Sequence, residues 1–105
     1  MDHFERLLWW LFAGSTGAAN RASVLLALRE RPRNTQQLAE SLGVDYTTAR
    51  HHLKVLLKNG LVVAEGEGYG RMFFVSNIAE SNWGLFMSIL EKTGRSKPKG
   101  VDHAA

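Results

Sequence analysis

The sequence predicts a mainly α-helical fold with a small β-hairpin, in which two of the helices form a helix-turn-helix. Three observations support this fold class. Apolar residues recur at helical spacing through the first half of the chain, and a short turn at Gly43 separates two of the helical segments. After Leu61, two β-prone runs flank a glycine-rich stretch. The 105 residues, 45% of them hydrophobic and 22% charged, suit one globular domain.

The first predicted helix is segment 2–13, which begins at Asp2 and ends before Gly14. Trp9 and Trp10 make it apolar on nearly every side. A helix of this kind must be buried all round, which a domain of this size rarely achieves alone, so we expect it to take part in self-association. Its apolar run is far shorter than the ~18 residues that span a bilayer, and no membrane association is expected.

The remaining predicted elements follow in chain order. Three helices with polar N-terminal caps are 20–31 capped by Asn20, 36–42 capped by Thr35, and 46–59 capped by Asp45. The strands are 61–64 and 72–75, and a last helix covers 78–92. A single domain is therefore expected over residues 1–93, with 94–105 as a polar, disordered tail.

The helix 46–59 has one apolar side and one polar side. Ala49, Leu53 and Leu56 form the stripe that is expected to be buried. The polar side carries donors for base edges and phosphates, with two residues flanking it; together these are Thr47, Thr48, Arg50, His51, Lys54 and Lys58. This face is the predicted DNA-reading surface.

Three residues of the same helix have more than one interpretation. Arg50 can contact guanine or phosphate, and the sequence leaves both open. Tyr46 lies on the core side of the helix, so packing and DNA contact carry equal weight. His52 is interpreted as a packing residue at the edge of the core.

Charge agrees with a DNA-facing role for this region, because residues 21–60 hold seven Lys/Arg and three Asp/Glu, although a solvated charged face explains the same pattern.

Three segments carry a resemblance to a known family: LAESLGV at 38–44, TTARHHLKVL at 47–56 and NGLV at 59–62. Over residues 20–92 the chain resembles the ArsR-type winged helix-turn-helix transcriptional regulators. The resemblance implies a cytoplasmic, DNA-binding homodimer in which helix 46–59 enters the major groove of double-stranded DNA and the hairpin 61–75 forms a wing on the backbone.

At the wing, Arg71 is the preferred DNA contact and Tyr69 the second, while Glu65 and Glu67 oppose phosphate binding. In this family the first and last helices form the dimer interface. That implies a set of apolar interface residues here, which are Phe4, Leu7, Leu8, Trp9, Trp10, Leu11, Phe12, Trp83, Phe86 and Leu90.

The chain departs from the metal-sensing members of that family. It has no cysteine, which excludes a disulfide or thiolate site and favours an intracellular protein. His51 and His52 are adjacent and lack the i, i+4 spacing by which two imidazoles share an ion on a helix. His3 and His103 lie near the termini as incidental surface residues. No metal and no cofactor are expected.

Two other functions compete with the regulator. In a protein-interaction module, Trp9, Trp10 and Trp83 would contact a different protein instead of a second copy. An enzyme lacks support, because the sequence shows no paired carboxylates, no nucleophile with a base and no phosphate loop. The glycine alternation 66–70 does not open a helix, so it is assigned to turn geometry.

Overall fold

The structure, a computed structural model, describes residues 1–94. Its elements are α1 (His3–Trp9), a π-helical turn (Trp10–Gly14), α2 (Ala18–Glu30), α3 (Thr35–Leu42), α4 (Tyr46–Lys58), β1 (Val62–Glu65), β2 (Met72–Val75), α5 (Asn77–Ser81) and α6 (Trp83–Thr93). Except for Gly94, the predicted tail lies outside the described residues.

The N-terminal helix starts as predicted, since Asp2 Oδ1 accepts a hydrogen bond from the backbone N–H of Glu5 at 2.7 Å. Its second half, Trp10–Gly14, is π-helical, and polar side chains satisfy two of its carbonyls. Ser15 Oγ donates to the Trp10 carbonyl at 2.6 Å, and Arg21 Nε donates to the Leu11 carbonyl at 2.9 Å. The Arg21 guanidinium also donates to Ser15 Oγ, so α2 holds the end of the first helix.

Two predicted N-caps are wrong. The second helix begins at Ala18 and not after Asn20, because Gly17 adopts a positive φ of 86° that starts the helix earlier. In α3, Thr35 is the first helical residue and Asn34 is the cap. Asn34 Oδ1 accepts from the Gln37 N–H at 2.8 Å, and Gln37 Oε1 accepts from the Asn34 N–H at 2.9 Å. This reciprocal pair satisfies both ends of the first turn.

The predicted last helix is divided in two. Ser76 Oγ caps α5 by accepting from the Ala79 N–H at 3.2 Å. The break comes at Asn82, whose side-chain amide donates back to the Ile78 carbonyl at 2.8 Å and which leaves helical geometry at φ −113° and ψ 20°. α6 then starts a new direction at Trp83, which brings it against α1.

The hairpin pairs β1 and β2 in antiparallel register, with Val62 opposite Val75 and Glu65 opposite Met72. The first strand lies one residue later than predicted, and the second agrees with its prediction. A third backbone segment anchors the hairpin, because Arg33 and Phe73 exchange both main-chain hydrogen bonds at 2.9 and 3.3 Å. The hairpin is therefore fixed to the connection between α2 and α3.

The hydrophobic core lies where the helices meet beneath the hairpin. The predicted stripe of α4 is buried, and apolar residues of α2 and α3 are buried with it; these residues are Val24, Leu25, Leu28, Leu38, Ala39, Leu42, Ala49, Leu53 and Leu56. Phe12 and Phe86 contact edge to face at 4.7 Å between ring centroids and join the N-terminal helix to α6. No helix in residues 1–94 has both the length and the apolar character needed to cross a membrane.

Candidate nucleic-acid interface

The turn between α3 and α4 fixes where α4 begins. Gly43 lies in the left-handed region at φ 68°, as predicted, and the following Val44 N–H donates to the Ala39 carbonyl at 3.1 Å. Asp45 Oδ1 then accepts from the Thr48 N–H at 2.7 Å, which confirms Asp45 as the cap of α4. This hydrogen bond with Thr48 lowers the pKa of the Asp45 carboxyl below its usual value, so the anionic cap is the favoured state at the helix N-terminus.

The buried stripe of α4 sets which side of the helix faces solvent. Ala49, Leu53 and Leu56 are at most 1% exposed, so the helix cannot rotate without exposing them. The opposite side carries the predicted reading residues. Thr48 is half-buried, and the exposed members are Thr47, Arg50, His51, Lys54 and Lys58. The expected orientation of this face is confirmed, while its contact with DNA stays a prediction.

His52 lies on the other side of α4, buried as predicted. It packs against the start of α2, where Gly17 leaves space for it: a Cβ on Gly17 would lie 2.8 Å from His52 Cε1 and 3.0 Å from Arg21 Nη1. Arg21 is itself only 3% exposed, and burial lowers the pKa of its guanidinium. His52 thus serves packing, and its ring lies 5.4 Å from that of the exposed His51.

The hairpin tip lies beside the N-terminal turn of α4. Tyr69, in the 3₁₀ turn Gly68–Gly70, is 85% exposed, and its ring centroid is 6.1 Å from that of Tyr46. Arg71 is exposed, and its guanidinium carbon lies 5.4 Å from the centre of the Phe73 ring. Tyr46 is half-buried and its ring lies beside that of Tyr69, so the structure leaves both packing and DNA contact open for it.

A cleft of about 330 Å³ separates α4 from the hairpin. Its lining comes from three elements and includes Thr35, Tyr46, Arg50, Tyr69, Arg71 and Phe73. The sequence predicts Arg50, Tyr69 and Arg71 as DNA contacts. It predicts Thr35 only as a helix cap and misses its position in the cleft. No local pattern identifies Thr35 as a site residue, because its partners lie far away in sequence.

The ten predicted interface residues divide by exposure. Five are buried in the core of the single chain and so are not surface residues: Leu8, Leu11, Phe12, Phe86 and Leu90. Phe4, Leu7, Trp9 and Trp83 are half-buried, and Trp10 is 54% exposed. The apolar side chains of the first helix therefore pack first of all in the core of their own chain. Within residues 1–94, no three His, Asp or Glu side chains form a group that could hold a metal ion.

Comparison with known proteins identifies the helix-turn-helix. Residues 19–63 match the family described as bacterial regulatory protein, arsR family. The ArsR resemblance is confirmed over this segment. The segment contains α3, α4 and all of α2 except Ala18. A search of curated protein sequences returns no match.

Solved structures share the winged helix-turn-helix fold. A homodimeric DNA-binding domain from Mycobacterium bovis, a possible ArsR-family regulator, aligns with TM-score 0.63 and 20% identity over 97% of this chain and 89% of its own. A probable transcriptional regulator from Pseudomonas aeruginosa gives 0.67 and 18%, over 88% and 72%. MarR from Staphylococcus aureus, solved with salicylate and kanamycin, gives 0.62 and 15% over 73% of this chain, which spans 54% of the MarR chain. The predicted fold class is confirmed.

Proposed function

We propose that this protein is a sequence-specific, DNA-binding transcriptional regulator that acts as a homodimer. The exposed face of α4 carries the proposal, because it presents hydroxyl, imidazole and cationic groups from a helix whose rotation is fixed by buried residues. The α4 helix enters the major groove, and the wing contacts the adjacent backbone through Arg71 and Tyr69. The arsR-family match over the same helices and the winged-helix fold support this function.

Selection of bound sequences from random DNA tests the proposal. A homodimer should enrich a palindrome, because the two-fold axis of the protein is repeated in its site. Contact with about eight phosphates predicts that log K falls with log salt at a slope of roughly −7. Absence of binding to any duplex at low salt would refute the function.

Substitutions at His51 and Lys58 separate base reading from backbone binding. His51→Ala should cost about 1–3 kcal/mol on the selected site and relax the preference at one base pair, because His51 lies in the middle of the reading face. Lys58→Ala should weaken all duplexes alike and make the salt slope shallower by about 1. Competition titrations against selected and random duplexes measure both effects. Equal losses on both duplexes for the two variants would mean that another surface reads the bases.

The exposed indole of Trp10 is the proposed centre of the homodimer interface. It lies at the end of the first helix, with its ring 5.7 Å from the Arg21 guanidinium carbon, and exposed tryptophans are typical anchors of protein interfaces. The homodimeric state described for the M. bovis domain supports this assignment.

Trp10→Ala should therefore raise the dimer dissociation constant by about tenfold or more while leaving the folded protomer intact. Sedimentation equilibrium measures the constant, and circular dichroism checks the fold. Val63→Ala is a matched control, since Val63 is also exposed but lies on β1. The alternative function, an interaction module for a different protein, would be favoured by a monomeric wild type at micromolar concentration.

A further inference from the structure

The cleft between α4 and the wing brings together two arginines from distant parts of the sequence. Arg50 comes from α4, and Arg71 lies between the 3₁₀ turn Gly68–Gly70 and β2. Both line the 330 Å³ cleft, and both also line a neighbouring cavity of about 110 Å³. Thr35 and Phe73 are shared by the two cavities as well, so the guanidinium-bearing side chains border one continuous depression.

Neither of these arginines has an anionic partner in the described part of the chain. The ion pairs within residues 1–94 join Arg29 to Glu80 at 2.9 Å and Arg33 to Glu30 at 3.0 Å. The residues that line the two cavities include no aspartate or glutamate. Lys54 also lines the smaller cavity, so three cations border the depression. Cations that face a common space repel one another, and an anion placed between them removes this repulsion and gains attraction from each. The depression therefore favours an anion.

Neutral groups around the cleft add to this preference. Thr35 is the first residue of α3, so the N-terminus of that helix lies beside the cleft, and the Thr35 hydroxyl is a hydrogen-bond donor. Tyr46 and Tyr69, which carry phenolic hydroxyls, also line the cleft, with their ring centroids 6.1 Å apart. Phosphate oxygens are bound in proteins by this combination of guanidinium, hydroxyl and helix N-terminus.

We propose that Arg50 and Arg71 bind the same DNA phosphate, which lies in the cleft between α4 and the wing. This inference rests on the proposed function and deepens it by assigning Arg50 to the backbone and not to a guanine. The shared phosphate fixes the reading helix and the wing in one register on the duplex. Base reading is left to Thr47 and His51, which line neither cavity, whereas Lys54 lines the smaller cavity beside the two arginines.

Methylphosphonate substitution tests the shared contact, because it removes the charge of one chosen phosphate. The duplex with the highest measured affinity is prepared with one methylphosphonate in each half-site, at symmetry-equivalent positions, and the pair is moved in turn through every position. On unmodified DNA, Arg50→Ala and Arg71→Ala should each weaken binding about tenfold. The double variant should lose well under the about hundredfold expected of independent contacts. At one methylphosphonate position, the affinity of the wild type should also fall about tenfold. On that modified duplex, each single variant should bind with the same affinity as the wild type.

Arg6→Ala is the matched control, since it removes an exposed cation from α1, which does not line the cleft. Its small effect should be the same on every modified duplex. The shared contact would be overturned if the effects of Arg50→Ala and Arg71→Ala disappeared at two different methylphosphonate positions. A relaxed base preference in Arg50→Ala would overturn it as well. Neither outcome would contradict the proposed function of a DNA-binding regulator. Failure of the wild type to bind any duplex would instead refute the proposed function, and with it this inference.

Discussion

Phe12→Ala is expected to lower the free energy of unfolding by roughly 3–5 kcal/mol. Phe12 is fully buried, and its ring contacts Phe86 edge to face, so truncation leaves a cavity where the first helix meets α6. The aromatic contact is lost together with the buried apolar area. Urea denaturation followed by tryptophan fluorescence measures the change, at a fixed protomer concentration because self-association shifts apparent stability.

Phe12→Leu provides the graded control for this prediction. Leucine keeps much of the buried volume, so its cost should stay below about 1.5 kcal/mol. A loss of less than about 1 kcal/mol for Phe12→Ala would contradict the position of the π-helical turn in the core. In that case the apolar face of the first helix would have to be stabilised by a second chain and not by its own.

Gly17→Ala is the second substitution with a large expected effect, about 2–4 kcal/mol of destabilisation. Two penalties combine at this position. An L-residue at φ 86° is strained, and the new Cβ would lie 2.8 Å from His52 Cε1 in a packed environment. The ring of His52 must then shift, which disturbs the buried side of the reading helix. We therefore expect weaker DNA binding as well as lower stability.

Gly43→Ala separates the two penalties. Gly43 also has a positive φ, of 68°, but a Cβ there meets no atom within 4 Å, so only the backbone strain of about 1–2 kcal/mol applies. Gly17→Ala in the background of His52→Ala should approach this smaller value, since the clashing ring is gone. Equal losses for both glycines in the wild-type background would contradict the contact between His52 and the start of α2. Thermal and urea denaturation of the four variants give the comparison.

Features that depend on neighbours in sequence are predictable here. Asp45 caps α4 through Thr48, three residues away, and the turn at Gly43 depends on the left-handed conformation that glycine adopts readily. The buried stripe of Ala49, Leu53 and Leu56 follows from helical periodicity. Some predictions that fail are choices between adjacent candidates, such as Asn34 over Thr35 as the cap of α3. The reciprocal bond with Gln37 decides that choice.

The sequence by itself determined the helix-turn-helix, the hairpin and the outward face of α4, because periodicity and capping act within a few residues. Only the tertiary structure decided which apolar residues of the first helix are core and which are surface, since that depends on where α2 and α6 pack. It also decided the cleft, which joins Thr35, Arg50 and Arg71 across 36 positions of sequence. Long-range packing brings these three residues together in space, and no local pattern of the sequence encodes their proximity.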